Sequence, residues 1–296
     1  MELVTVFTPT YNRKNLLGRL YDSLLRQTCK DFLWMVIDDG SNDGTKEYIE
    51  ALQKNTTEFR VEYYYKENGG LHTGYNLAIS KLNTELCLCC DSDDWLSDDC
   101  IELVNKEWQK NKKENCAGII GLDFFPNGKV VGQPLPAAGY FDLNELYIHG
   151  KLMGDKKVVV RSELYKQQPP MKTINGEKNF NPNYYNVVIS EKYCWIALNK
   201  NLCFVEYQES GMANNIYRQY NNSPNSFIEL RKLYLSLHGA TLKFKIRHLI
   251  HYQAECILAK RKREILSSGQ SKLLSVAVLP VSMLLYCYIK YKAKKH

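Results

Sequence analysis

The chain has 296 residues, 45% hydrophobic and 24% charged, which describes a folded protein of one large domain or two small ones and excludes a disordered or low-complexity chain. The net charge of +7 is uneven: residues 228–296 hold 14 Lys+Arg against 3 Asp+Glu, whereas residues 1–227 hold 25 against 29. The basicity thus belongs to the tail, where it suits an anionic membrane surface or nucleic acid; with the strand-end edge acidic, a nucleic-acid binder is the less favoured reading.

The ten cysteines are scattered and several sit in apolar runs, the pattern of reduced, buried thiols in a cytosolic setting. Cys87 and Cys90 lack the second pair that a zinc site needs. The opening MELVTVFTPTYN enters a strand pattern without a basic leader, so no signal peptide is expected.

In chain order, residues 3–8 are a short β-branched run and read as a strand. Pro9 ends it, and Thr10 to Arg13 form a turn. Leu16, Leu17, Leu20, Leu24 and Leu25 fall at helical spacing. FLWMVI, 32–37, is a second strand, followed by Asp38-Asp39-Gly40-Ser41 and a helix over about 44–54. Residues 61–65 are a third strand. The loop Lys66-Glu67-Asn68-Gly69-Gly70 leads to a helix over about 75–81. LCLCC, 86–90, is a fourth strand that breaks into Asp91-Ser92-Asp93-Asp94. Further strands are expected at 118–125, 156–160 and 202–207, with a short helix at 162–168. From 226 onward the spacing is helical.

This alternation predicts an α/β fold with a doubly wound, mainly parallel sheet and an added C-terminal helical region. The expected domains are 1–225, with a nucleotide-binding half to about 117 and an acceptor half from 118, and a basic helical region at 226–296. In such sheets ligands bind at the carboxyl ends of the strands. Here four strand ends carry polar clusters drawn from four separate pieces of sequence. No G-x-G-x-x-G follows the first strand and no G-x-x-x-x-G-K-[ST] occurs, which weighs against dinucleotide and P-loop readings.

Three carboxylates in one short stretch, Asp91, Asp93 and Asp94, repel one another unless a positive charge joins them. A hard divalent cation, Mn2+ or Mg2+, takes oxygen ligands and shares them with substrate phosphates. A polar loop capping the next helix explains the same residues without a metal. Likewise Tyr11 offers a π face to a base or packs as an ordinary aromatic, and Asp38 and Asp39 suit either a base contact or a turn and helix cap.

Taken together, Thr8-Pro9-Thr10-Tyr11-Asn12-Arg13, Asp38 to Thr45, Lys66 to Gly70 and Asp91 to Asp94 resemble the family 2 glycosyltransferases of the GT-A fold, in their bacterial polysaccharide and glycolipid branch. The resemblance is specific over about residues 3–100 and looser over 118–225, where Gly154-Asp155-Lys156 and Glu206 to Met212 carry it. It implies a metal-dependent, inverting transfer from a nucleotide-diphospho-sugar, commonly UDP-linked, to a carbohydrate or lipid-linked acceptor. It implies that Thr8, Pro9 and Tyr11 line the base pocket, that Asp39 accepts from the base and that Asp38 supports that loop. Asp91 is expected near the ribose and the metal, and Asp93 on the metal. Arg13 stands beside this set, Asn68 belongs to the matching loop, and Lys66 and His72 are candidates for the phosphates.

An inverting transfer needs a group to take the acceptor proton. The Glu-Asp pair that many relatives carry is missing, so Glu177 is the first candidate base, Glu209 the second and Glu191 the third; Asn183 stands where some relatives have an acid. Trp95 is expected either to stack on a sugar or to pack in the core.

Residues 273–289 run 17 positions without a charge, flanked by Lys272 and by Lys290, Lys292, Lys294 and Lys295. The run is short for a membrane span and Pro280 interrupts it, so a helix lying on an anionic membrane, at the inner face of the cell membrane, is expected; a C-terminal helix packed on the domain is the alternative. A non-catalytic scaffold of a membrane-bound glycan assembly and a nucleotidyltransferase are the competing readings. The second would bring a Gly-rich, basic loop after the first strand, and only Arg13 and Lys14 stand there.

Overall fold

The computed structural model describes residues 2–136, 139–206 and 215–295. In chain order the elements are β1 (Val4–Thr10), α1 (Lys14–Leu25), β2 (Phe32–Asp38), α2 (Thr45–Asn55), β3 (Arg60–Tyr65), α3 (Leu71–Lys81), β4 (Leu86–Cys89), β5 (Trp95–Leu96), α4 (Cys100–Asn111), β6 (Cys116–Phe124), β7 (Gly139–Phe141) and α5 (Leu143–Ile148). They continue with β8 (Lys156–Arg161), α6 (Ser162–Lys166), α7 (Asn183–Ile189), β9 (Cys194–Phe204), α8 (Ile216–Asn222), α9 (Pro224–Ser236), α10 (Leu242–Leu258) and α11 (Lys272–Lys295).

Two compact units result. The sheet unit comprises Met1–Leu143, Leu152–Pro170 and Lys192–Glu206; the helical unit comprises Asn144–Lys151, Met171–Glu191 and Tyr207–His296. The division departs from a boundary near 225, because residues 144–151 and 171–191 cluster with the C-terminal helices.

In the sheet unit the strands run in the order β3-β2-β1-β4-β8-β6-β9-β5, with β7 on β9. The first four are parallel to one another. Every residue of β1 and β2 is buried, as expected of parallel strands covered on both faces, which is why β2 reads as an apolar run and β1 as a β-branched one. Next to them β8 enters antiparallel between β4 and β6, and β9 runs parallel to β6. The main core gathers Val4, Val6, Trp34, Leu88 and Trp108 with Leu17, Leu20 and Leu24 of α1, whose spacing fits one helix face.

The α/β alternation predicted from sequence is present, with differences at its ends. Helix α3 begins at Leu71, four residues before the expected start, because Gly70 at φ +93° turns the chain directly into it. The strand expected at 202–207 is the end of the longer β9, and the short β5 and β7 carried no sequence signal.

The helical unit holds two apolar clusters. Phe227, Leu230, Tyr234 and Leu237 of the α9 segment meet Val187 of α7, Ile148 of α5 and Phe244 of α10. On the other side Ile228 and Leu235 meet Leu249, Tyr252 and Cys256 of α10 and Val278 of α11. A buried ion pair, Arg231 Nε to Glu255 Oε1 at 3.2 Å, lies between α9 and α10.

Candidate active site

The carboxyl ends of β1, β2 and β3 finish in register. Thr10 lies opposite Asp38, and Asp38 opposite Tyr65. Beyond them the backbone continues the lacing: Asp39 N–H donates to Thr10 O at 2.8 Å and Lys66 N–H to Asp38 O at 2.9 Å. The loops after β1 and β2 are tied by Asn12 N–H to Ser41 Oγ and Asn42 N–H to Asn12 Oδ1, both 2.8 Å.

Asp38 is fully buried. Its Oδ1 accepts from Ser41 N–H at 2.8 Å and its Oδ2 from Tyr63 Oη at 2.7 Å. Burial, with the bond to Asp38, pushes the Tyr63 hydroxyl far above the usual phenol range. Asp39 has all four acceptor positions taken. Lys66 Nζ and Gly69 N–H (2.9 Å) reach Oδ1, and Asn68 Nδ2 (3.2 Å) and Gly70 N–H (2.8 Å) reach Oδ2. Its carboxylate therefore fastens the 66–70 loop to the end of β2. The two segments approach so closely at Gly40, φ +87°, that a Cβ there would lie 2.9 Å from Asn68 N.

The residues expected to contact a nucleotide separate into two groups. Tyr11 stands open at the edge, 48% exposed. Thr8 is fully buried and its hydroxyl accepts from Trp34 Nε1 at 3.0 Å; Pro9 and His72 are buried as well. These three support the edge from beneath, so a pocket-lining side chain at Thr8 is corrected to an internal anchor. The Lys66 ammonium is occupied by Asp39 and by Glu67 O.

At the end of β4, Asp93 Oδ1 pairs with Arg13 Nη1 at 3.1 Å, and the same guanidinium reaches Ser92 Oγ at 3.4 Å. Asp91 keeps solvent access although protein surrounds it. That crowding raises its proton affinity, the Lys157 ammonium works against the rise, and Asp93 adds to it. Beneath these acids lies a set that the motif does not contain. Lys157 of β8, nearly buried, donates to Cys89 O at 3.2 Å. Burial opposes its charge, yet Cys203, Asp123, Cys90 and Asp94 around it hold the ammonium well above the usual lysine range. Burial pushes Asp94 up to about 8 and Asp123 up to about 6, with Lys157 pulling both back. Asp123 was legible only as a lone charge inside an apolar strand, where a charge needs a partner, and Lys157 as the second of two lysines before a valine run.

Trp95 is half-buried. It stacks on Phe204 with ring centroids 5.5 Å apart and carries Arg19 on its face, Cζ 3.9 Å from the ring centre. Arg19, which no motif singled out, also donates to Asp93 O at 2.7 Å and pairs with Glu206 at 2.7 Å.

Among the described residues no group of three or more acids, histidines or cysteines has the arrangement of a metal cage. Mg2+ and Mn2+ sites that share a diphosphate need fewer protein ligands, one or two carboxylates. Asp91 and Asp93, both at the open end of β4, fit that requirement and are the residues that would hold such an ion.

Glu177 belongs to the helical unit and is buried. Its Oε1 accepts from Asn225 N–H (2.9 Å) and Asn225 Nδ2 (2.7 Å), and its Oε2 from Ser226 N–H (2.8 Å) and Ser226 Oγ (2.7 Å). These N–H groups lie in the first turn of α9, where they have no partner inside the helix and where negative charge is favoured. Glu177 is thus a helix cap supplied from afar, and its four hydrogen bonds, two on each oxygen, give it a structural role where a base was expected. Glu191 is exposed and accepts from Asn144 Nδ2 at 3.0 Å. Asn183 opens α7 and accepts from Tyr147 Oη at 3.2 Å. Glu209, with most of the 206–212 stretch, lies outside the described residues.

The family model described as Glycosyl transferase family 2 matches residues 5–156, just over half of the chain. The chain belongs to glycosyl transferase family 2. The matched stretch of this family 2 chain runs from β1 to the start of β8 and so includes all four motif-bearing strand ends. The chain is 36% identical over 129 residues to the chondroitin synthase of Pasteurella multocida, a stretch that covers 44% of this chain and 13% of that protein. Its fold is similar to that of S. aureus TarS 1-349 in complex with UDP-GlcNAc, with a TM-score of 0.62 and 17% identity, over 99% of this chain and 88% of that one. It is also similar to the mannosyltransferase PcManGT from Pyrobaculum calidifontis in complex with GDP-Man and Mn2+, with a TM-score of 0.59 and 15% identity, over 98% and 81%. The fold is therefore that of the GT-A glycosyltransferases, with helices added at the C-terminus.

Proposed function

We propose that the chain transfers a sugar, with inversion, from a nucleotide-diphospho-sugar to a carbohydrate or lipid-linked acceptor in cell-surface polysaccharide synthesis, at the cytoplasmic face of the cell membrane. The observation that carries this reading is the gathering on one sheet edge of an open Tyr11, the 66–70 loop fastened by Asp39, and Asp91 and Asp93 with Arg13. Tyr11 offers its ring to the base. Arg13 stands beside Asp93 where a diphosphate and a cation would meet. Asp91 and Asp93 would hold Mn2+ or Mg2+, which would offset the charge that the departing diphosphate develops. A UDP-linked donor is supported by the UDP-GlcNAc in the TarS complex, and polysaccharide synthesis by the likeness to a chondroitin synthase. Glu209 and Glu191 are the further candidates for the acceptor base beside Glu177, whose oxygens cap α9. The net +11 of residues 228–296 supports a membrane-facing tail.

The test is a panel of nucleotide-sugars with Mn2+ or Mg2+. One of them should raise the melting temperature and yield nucleoside diphosphate slowly even without acceptor. Release of pyrophosphate instead would make the protein a nucleotidyltransferase. A donor that binds and is never turned over, with any acceptor offered, would make it a scaffold.

A further inference from the structure

Helix α11 turns its serines inward and much of its apolar surface outward. Ser275 and Ser282 are fully buried, and they meet Gln253 of α10, itself fully buried. Ser282 Oγ donates to Gln253 Oε1 at 2.7 Å, and Gln253 Nε2 donates to Ser275 O at 2.8 Å. Val278 and Ile289 are buried with them, but much of the apolar surface points outward: Leu273 is 83% exposed and Leu284 71%, with Val276, Val281 and Met283 also exposed. A helix facing water buries its apolar stripe and exposes its polar one. Polar bonds between helices and leucines on the outside are the arrangement of a helix whose outer solvent is lipid.

Three further observations bear on what covers this face. A groove of about 600 Å³ runs beside it, lined by Ile246 and Ile250 of α10 and Val281 and Leu284 of α11. Lys243 and Arg247 line the same groove one helical turn apart; both are exposed, and neither has an ion-pair partner among the described residues. At the far end of α11, Tyr288 and Tyr291 are exposed among Lys290, Lys292 and Lys294, the mix of aromatic and basic residues found at membrane–water interfaces. From Leu273 to Tyr291 the apolar face extends about 27 Å, at about 1.5 Å per residue. A face of that length suits an extended apolar medium.

By length and composition α11 would also cross a membrane. Its partners argue against it. The serine face is bonded to α10, and α10 carries Lys243, Lys245, Arg247, His248, His251 and Glu255 and is itself packed on α9 through Leu249, Tyr252 and Cys256. A crossing α11 would either break the Gln253 bonds or draw those charges into hydrocarbon.

We infer that α11 is a docking helix that lies in the plane of an anionic phospholipid leaflet and does not cross it. Acyl chains fill the groove between α10 and α11, and Lys243 and Arg247 sit on lipid phosphates. The inference rests on the membrane-facing tail proposed above and adds the face, the orientation and the groove.

The experiment uses the full chain with vesicles of phosphatidylcholine, alone or mixed with phosphatidylglycerol. Sedimentation should show binding to the mixed vesicles, weakened by salt, and lowered about tenfold or more in the double variant Lys243→Glu, Arg247→Glu. Single tryptophans are placed by Leu273→Trp, Leu284→Trp and Tyr291→Trp; the four native tryptophans lie in the sheet unit and give a constant background. Lipids brominated at one shallow position should quench all three equally. Deep burial of Leu284→Trp with shallow ends would mean that α11 crosses, and would overturn the inference. Equal binding to neutral vesicles would overturn the role of the two cations. Absence of quenching together with a dimer in sedimentation would mean that a second copy covers the face. Should Leu284→Trp fail to fold, Leu284→Glu, which should abolish binding while keeping the melting temperature, takes its place. Nucleoside diphosphate release is measured on the same preparations in detergent, so a failed docking surface and a failed enzyme are told apart.

Discussion

Arg13 reaches from the turn after β1 to hold Asp93 at 3.1 Å, so the acid expected to bind a divalent cation already has a guanidinium on one oxygen. The pair is partly exposed and contributes on the order of 0–1 kcal/mol. Loss of Asp93 should therefore neither release much repulsion nor cost much stability. Asp93→Asn is expected to melt within a few degrees of the wild type and to lose metal-dependent nucleoside diphosphate release. Arg13→Gln should tighten Mn2+ binding to the donor-free protein and weaken binding of the donor. Calorimetric titration of both proteins checks this; identical Mn2+ affinity would show that the cation does not use the oxygen that Arg13 holds.

Asp39→Ala removes an acceptor from two loop amides, Gly69 and Gly70, and from Lys66. Each buried donor left without a partner costs about 1–3 kcal/mol. The variant should melt several degrees lower and bind nucleotide far more weakly. If a donor is still turned over, the rise should appear in KM rather than kcat. A variant with wild-type melting would mean that the 66–70 loop is held by something other than Asp39.

Glu177→Gln keeps the shape and replaces one acceptor oxygen by an N–H₂ group facing donors of Asn225 or Ser226. A loss of about 1–3 kcal/mol is expected, read as a lower melting temperature of the helical unit. Turnover per folded molecule should stay within a few-fold of the wild type, whereas removal of a general base typically costs about 10²–10⁴. A loss of that size with unchanged melting would return Glu177 to the role of base.

The parts of this molecule that the sequence discloses are those whose cause is local. The parallel strands β1 and β2 are buried on both faces, so a run such as FLWMVI states its own place, and the motif acids stand directly after such runs. Glu177 was misread because its partners are 48 and 49 residues away, and a buried cap and a solvated loop acid look alike in a one-dimensional string. Lys157 was visible as an odd charge before a valine run, but its bond to Cys89, 68 residues upstream, depends on β8 entering antiparallel beside β4. In α11 the apolar composition was evident; that its serines face inward follows only from Gln253.

The pH response of the helical unit follows from three groups, His248 and Glu255 buried and His251 half-buried. Burial, with Arg231 and Arg247 nearby, holds His248 down to about 2 and His251 to about 3, against an ordinary 6.5. Their folded values are depressed, so the stability they contribute is present above about 6.5 and is lost as pH falls below it. Burial raises Glu255 to about 7 despite Arg231, so its contribution is present below about 4.5 and is lost as pH rises toward 7. Between about 4.5 and 6.5 two histidines act against one acid, and this cluster should lose stability as pH falls. Melting curves across that window should show a shallower fall for His251→Gln than for the wild type; a steeper one would refute the assignment.

The four hydrogen bonds on Asp39 have a consequence for the kinetics of donor capture. A glycine-containing loop that had to be ordered by its ligand would charge that ordering entropy against every binding event. Here the loop is already fixed to β2 by contacts within the chain, so the entropy is lost once, at folding. Donor association should then proceed in one bimolecular phase, linear in donor concentration, with no slower loop-closing step behind it.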